Sequence, residues 1–515
     1  MNQGLQRGGA TFGRSGYPAP RWTTSASRPA RRAIRRNLDI KRLRRAAQLA
    51  FAAVVAFALV TAQTPETFLG FMAILTVASI PFFVWIKRGA MQLPILPCVA
   101  LFYVPSYANA TSLMKAGTYT PDQILVGELT VALFLGAAVL AWLFFPAERR
   151  PRALNRAGGL DMGLNPSKVM FLALVVGAVF EVGGPPGWWS WMGTFYGTFR
   201  TFASSTTLIG FFLYGAALGK RSLSPEQRVL GGILLALILG IEMSSLYLYT
   251  AMLYFITVCL GYFLLTRKIP WAAIILGCLI ATTLHSAKGG MRVEYWGSGM
   301  QSKSTGLSDI PGMMEEWVGA GINNMIFGAP EDQQDLSDRA SMLPNLLLAQ
   351  QNSPQRIPYL YGETYANFWG MLTPRFLAPS KIISQTNLAI LSIHYGLQTT
   401  DDTATTTISW GLVSEAYANF GFAGVVVAGL AFGALLGWLT YLTTGAPVIS
   451  ARGFIGLVSL IIPITSVAYD FSYMLLNLIQ GIVAMLIVSL AFQLPQSRVR
   501  RRKALDTSRM NVVHT

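Results

Sequence analysis

Between Arg356 and Gly424 the chain gathers groups able to move a proton and hold an anion. The stretch reads RIPYLYGETYANFWGMLTPRFLAPSK, then a polar span with DDTATTTIS, then WGLVSEAYANFGFAG. Glu363 and Glu415 are carboxylates suited to accepting a proton from a reacting hydroxyl. Arg356, Arg375 and Lys381, with Arg292 upstream, are the cations. Arginine binds phosphate through two parallel N–H groups, lysine as a compact point charge. Residues 286–410 carry seven basic against eleven acidic side chains, so these four do not serve bulk charge. Converging, they would make a pyrophosphate cradle; apart, they would snorkel at an interface.

One short echo joins the two carboxylates. Glu363-Thr364-Tyr365-Ala366-Asn367-Phe368 and Glu415-Ala416-Tyr417-Ala418-Asn419-Phe420 agree at five of six positions. On a helix, Glu and Asn four apart share a face, and the two copies could turn paired carboxylates to one cavity. A six-residue match with dissimilar flanks also arises by chance. Glu415 stands close to an apolar run, where an ionisable group is costly and points to function or to a cap. Tyr365, Tyr417 and Asn419 are placed to position a substrate or brace the carboxylates.

Other chemistries find little support. The three histidines are His285, His394 and His514, and neither HExxH nor GxSxG occurs. No phosphate-cradling loop is present, which excludes an ATP-driven pump. Asp401 and Asp402 are hard oxygen ligands, but neighbours on an extended chain point to opposite sides. Cys98, Cys259 and Cys278 sit far apart in apolar runs and read as small buried hydrophobes. No metal and no cofactor are expected.

The elements that must position these groups are membrane spans. Charged residues make up 12% of the 515, where a soluble domain carries roughly 25%, and mean hydropathy is +0.46. The net charge of +17 resides almost wholly in two tails, +11 over residues 1–45 and +5 over 496–515. Such tails mark the cytoplasmic side and anionic lipid rather than nucleic acid. Apolar runs predict twelve spans, near 46–63, 67–86, 91–107, 124–145, 167–183, 205–219, 228–243, 246–266, 270–285, 420–442, 453–470 and 472–493.

With both termini cytoplasmic, the inside turns hold Lys87–Arg88, Arg149–Arg150, Lys220–Arg221, Arg267–Lys268 and Arg452. The short outside turns hold little but Lys115 and Arg200, as the positive-inside rule requires. The expected fold is an all-α polytopic integral membrane protein with one large extracytoplasmic loop containing short amphipathic helices. Its parts are a basic disordered arm (1–45), a nine-span bundle (46–285), the loop (286–410), three further spans (411–495) and a basic tail (496–515). The aromatic-rich loop at 184–200 is either an interfacial aromatic belt or a wall on which sugars stack or lipids enter.

Two motif segments carry a family resemblance. Gly362-Glu363-Thr364-Tyr365 is followed by Thr373-Pro374-Arg375-Phe376 and Pro379-Ser380-Lys381, then Gly411-Leu412-Val413-Ser414-Glu415-Ala416-Tyr417-Ala418-Asn419-Phe420-Gly421 enters a span. Over these roughly 70 residues the chain resembles the bacterial O-antigen and exopolysaccharide polymerases (oligosaccharide repeat-unit polymerases). Lys381-Ile382 stands where that family has Lys-Pro. The resemblance implies a metal-independent glycosyltransferase of the bacterial cytoplasmic (inner) membrane. It would move a glycan from polyprenyl pyrophosphate onto another lipid-linked repeat unit, with a chain-length regulator as a further partner. Arg292, Arg375 and Lys381, supported by Arg356, would stabilise the departing pyrophosphate. Glu415 first and Glu363 second would take the acceptor's proton. Two alternatives stay open. A transporter or flippase shares the span count, although no internal halves are evident. An outer-face acyl- or phosphotransferase calls for a His or Ser/Asp dyad that the sequence does not show.

Overall fold

A computed structural model describes residues 28–90, 93–108, 113, 117–145, 166–246, 248–266, 268–296, 306–328, 341–373, 385–403, 406–446 and 450–490. Its described elements are all helical. The first part runs α1 (Arg28–Thr61), α2 (Pro65–Lys87), α3 (Ile95–Tyr107), α4 (Pro121–Leu143), α5 (Pro166–Val182), α6 (Tyr196–Lys220), α7 (Pro225–Ser244) and α8 (Leu248–Thr266). Then come α9 (Trp271–Trp296), α10 (Ile310–Phe327), α11 (Leu343–Asn352), α12 (Glu363–Leu372) and α13 (Thr386–His394). Last are α14 (Leu412–Thr443), α15 (Ala451–Thr465) and α16 (Phe471–Leu490).

Three helix starts share one local code. Thr64, Thr120 and Ser224 each precede a proline and accept the backbone N–H three residues on, closing a capping box. Proline at the first helical position gives up an N–H that would have no partner, and Glu66, Asp122 and Glu226 favour the positive end of the dipole.

Among the described residues nine helices are long and apolar enough to cross a membrane. The other three segments expected as spans form shorter helices: α3 with 13 residues, α5 with 17 and α15 with 15. A bilayer needs ~20 residues of helix. Pro94 stands just before α3, and Pro105 and Pro463 lie within the last turns of α3 and α15, where a proline weakens the continuing helix.

Two boundaries differ from the sequence expectation. Helix α1 starts at Arg28, inside the segment expected as a disordered arm, because Ala33, Leu38, Ile40 and Leu43 continue a helix-compatible pattern upstream of the span. Helix α9 continues past residue 285 to Trp296, so Arg292 stands on a helix rather than in a loop. The antiparallel α10 holds that extension: Trp317 Nε1 donates to Leu284 O at 2.7 Å and Tyr295 Oη to Glu316 Oε2 at 2.6 Å.

Small residues let the helices approach. Gly429 and Gly433 of α14 lie against the backbone of Phe134 and Ala138 on α4, where any Cβ would clash. Gly215 of α6 and Gly261 of α8 do the same for that pair. Without water to drive association in lipid, such close backbone packing is a main source of helix adhesion. The order of these contacts makes α14 parallel to α4. Phe211 stacks on Tyr254 at 4.8 Å and Gly215 meets Val258, so α6 is parallel to α8. Arg88 sits over the Trp142 ring at 5.3 Å, at the far end of α4 from the start of α14.

Candidate active site

At the start of α14 the structure buries an acid with no cation beside it among the described residues. Glu415 lies in the first turn and is 0% exposed. Its Oε2 accepts the Phe471 backbone N–H at 2.7 Å; Oε1 accepts no hydrogen bond of ordinary geometry among the described residues, although the Thr364 hydroxyl stands beside the carboxyl. Facing it is Asp470, also 0% exposed, close enough for the two carboxyls to interact electrostatically. Asp470 Oδ1 accepts from Tyr473 N at 3.0 Å and Asn387 Nδ2 at 2.9 Å; Oδ2 has no hydrogen bond of ordinary geometry among the described residues. Together the two carboxyls cap the N-terminus of α16, whose first N–H groups have no partners within the helix. Each has one oxygen outside this cap.

An amide network fixes the pair. Asn419, on the same face of α14 as Glu415, donates through Nδ2 to Glu415 O and to Thr364 Oγ1, both at 2.9 Å. Its Oδ1 accepts the Gly362 N–H at 2.9 Å. Gly362 has φ of 96°, a conformation that glycine adopts without strain and that starts α12 here. Thr364 O accepts from Asn387 Nδ2 at 2.9 Å and Ser472 Oγ at 3.1 Å, while Asn367 Nδ2 donates to Asn387 Oδ1 at 3.0 Å. Four segments (α12, α13, α14 and the start of α16) are therefore tied around two carboxyls. Leu360 N and Tyr361 N add bonds to Ala418 O and Asn419 O, which lie just before the kink at Phe420–Gly421.

Tyr365 covers this centre. Its ring lies parallel to Phe420 at 6.4 Å and edge-on to Phe471 at 6.1 Å. Burial, with the nearby Glu415 and Asp470 carboxyls, holds its phenol well above the ordinary value. It therefore stays protonated and able to donate.

The remaining sequence candidates fall elsewhere. Glu363 is exposed at the start of α12, so the echo does not turn two glutamates to one cavity. The helix buries its neighbour Thr364 instead; the asparagines of both copies, Asn367 and Asn419, do enter the network. Tyr417 is buried but packs edge-on to Tyr359 at 6.3 Å and Phe422 at 5.2 Å. Arg292 donates through Nη2 to Leu246 O at 3.1 Å, anchoring the α7–α8 turn to α9. Arg356 is exposed, and its backbone N–H donates to Asn352 O at 2.8 Å. Arg375 and Lys381 lie outside the described residues.

Asp402 accepts from Thr399 N and Oγ1 at 2.9 and 2.7 Å, bonds that hold its carboxyl below the ordinary range, so it serves a local turn. Among the described residues no group of three His, Cys, Asp or Glu side chains could hold a metal.

Sequence reasoning passed over Asp470, Thr364 and Asn387. Asp470 carried a usable signal: an acid between two apolar runs, in VAYDFSYM, is costly unless it is partnered or used. Comparison with family models, with curated proteins and with solved structures finds no match for this chain.

Proposed function

We propose that this chain is a membrane-embedded glycosyltransferase that joins polyprenyl-pyrophosphate-linked oligosaccharide repeat units on the outer face of the bacterial cytoplasmic membrane. The supporting observation is the Glu415–Asp470 pair, two fully buried carboxyls that each have one oxygen without a hydrogen bond of ordinary geometry among the described residues. In the proposed reaction the acceptor sugar hydroxyl gives its proton to Glu415 while its oxygen attacks the anomeric carbon. The bond to the pyrophosphate oxygen breaks, and polyprenyl pyrophosphate leaves with the bonding electrons. Asp470 and Asn419 hold Glu415 in place, and Tyr365 donates to the sugar. Arg375 and Lys381 are the cations assigned to the leaving group, whose developing charge needs fixed positive groups. Arg292 and Arg356 are further from that role, the first because its guanidinium is engaged at Leu246 O.

Charge supports the outward orientation. Lys87–Arg88, Lys220–Arg221 and Arg452 occupy helix ends opposite the one that carries Glu415 and Asp470, and cytoplasmic ends collect Lys and Arg.

A second reading, a transporter of lipid-linked or anionic substrates, draws on Glu128. It is 0% exposed within α4, seated in the notch left by Gly70, and neither carboxyl oxygen has a hydrogen bond among the described residues. Buried acids within spans recur in proton-coupled carriers.

The deciding experiment is the glycan profile of a deletion strain. Loss of long chains with single lipid-linked repeats on the outer face supports the polymerase. Repeats held on the cytoplasmic face favour the transporter, and an unchanged profile removes both.

A further inference from the structure

A second polar cluster stands at the same end of the bundle, where α5, α6, α7 and α8 meet. The Glu181 and Glu242 side chains are hydrogen-bonded to each other, and Arg200 lies within electrostatic reach of both. The Tyr254 hydroxyl is buried within electrostatic reach of these three, and although Ser204 stands beside it, it makes no hydrogen bond of ordinary geometry among the described residues. Arg200 and Asp470 are both within electrostatic reach of Tyr473, which lies between this cluster and the Glu415–Asp470 pair.

An aromatic loop is fixed above it. Trp189 Nε1 donates to Phe180 O at 2.9 Å, and its ring stacks on Phe180 at 6.0 Å and packs on Phe199 at 5.4 Å. Phe180 and Phe199 immediately precede Glu181 and Arg200, so the loop is pinned to the two charged residues. What the pinning leaves outside is apolar: Trp188 is 53% exposed and Trp191 75%.

The charge balance selects the ligand class. Two carboxyls can share a hydrogen bond only with a proton between them, so the pair carries one negative charge and Arg200 cancels it. A phosphate finds no net attraction there. A polyol does, because carboxyl oxygens accept its hydroxyls, the guanidinium and the Tyr254 hydroxyl donate, and exposed indole faces meet its C–H groups.

We propose that Glu181, Glu242, Arg200 and Tyr254, with Trp188 and Trp191 above them, form a saccharide subsite that receives the uncharged sugar portion of a glycan. This rests on the polymerase assignment for its role, which is to hold the glycan whose end reaches Glu415, but binding itself can be tested alone.

The full-length protein is purified in detergent and its tryptophan fluorescence titrated with oligosaccharides released by mild acid from the source cell's own surface polysaccharide. Inorganic pyrophosphate serves as the contrasting probe. The expected result is saturable quenching by the oligosaccharides, with half-saturation raised at least tenfold in the Glu181→Gln/Glu242→Gln double variant and an unchanged response to pyrophosphate. Trp191→Ala, at an exposed position with no packing role, must raise half-saturation too, which keeps the test valid should the double variant misfold. No saturable response in the wild type, equal half-saturation in the variants, or displacement of saccharide by pyrophosphate would overturn the proposal, the first leaving the loop an interfacial belt only. Binding lost in the variants alongside a normal glycan profile in the deletion strain retains the subsite and removes the polymerase. Unaffected binding in the variants, with long chains lost on deletion, does the reverse.

Discussion

The Glu415–Asp470 and Glu181–Glu242 pairs occupy the same end of one bundle and are built on opposite terms. The first is sealed: both residues are fully buried, the carboxyls cap a helix, and no guanidinium interacts with either among the described residues. The second is half-open, joined by a carboxyl–carboxyl hydrogen bond and neutralised by an exposed arginine. Sealing removes water, which strengthens every remaining interaction and makes an acid useful to chemistry. Openness with charge balance suits reversible holding of a neutral ligand. On the function proposed above, the difference would separate a place for reaction from a place for recognition.

The largest expected effect tests the sealed pair. Glu415→Gln keeps the shape and the hydrogen bond to Phe471 N but cannot take a proton. Polymer yield should fall at least about a hundredfold, the usual worth of a general base, at wild-type abundance in the membrane. Glu181→Gln in the same assay should leave maximal yield near wild type and raise the substrate level needed to reach it. If both variants lose maximal yield alike, the division between reaction and recognition collapses.

How much of this was legible in the sequence follows from what each signal measures. Hydropathy integrates over a whole span, so nine apolar helices among the described residues were readable, while α3, α5 and α15 are shorter than a bilayer's usual span. Glu415 was readable as a costly charge beside an apolar run. Glu363 drew attention as a charge, yet the helix turns it outward and buries Thr364, because a ten-residue amphipathic segment does not reveal which face meets a partner until the partner is placed. Asn387 and Asp470 are 83 residues apart and meet only through tertiary packing. Glu242 stands at the end of the span expected at 228–243, and its partner Glu181 is supplied by a neighbouring helix.

The next effect in size concerns rigidity around the sealed pair. Asn419→Ala removes three hydrogen bonds and strands the Gly362 N–H. Each buried group left without a partner costs about 1–3 kcal/mol, so the midpoint of thermal unfolding in detergent should drop clearly. Arg200→Lys, at the open cluster, should leave that midpoint near wild type. A comparable drop for both would mean that the open cluster is a structural clamp.

A smaller loss of stability is expected at the kink that lets Glu415 face Asp470. Gly421 has φ of 61° and ψ of −148°, and a Cβ there would lie 2.6 Å from the Tyr359 hydroxyl. Gly421→Ala should cost about 1–3 kcal/mol from the backbone alone, with yield falling because the start of α14 is displaced. The same substitution at Gly240, in the open half of the bundle, meets nothing within 4 Å and should be neutral.

The smallest effect separates cations. Arg356 is exposed and enters the described hydrogen-bond network only through its backbone N–H, which Arg356→Ala preserves. Yield and unfolding midpoint should both change by no more than about twofold and a degree or so, as for a surface substitution. Arg375→Ala should instead lower yield at unchanged stability, since its assigned role is to meet charge that develops only as the pyrophosphate leaves. A large loss of yield for Arg356→Ala would move the anion site towards the segment before α12. The sealed pair would then have its own cation after all, and the contrast with the charge-balanced open cluster would have to rest on burial alone.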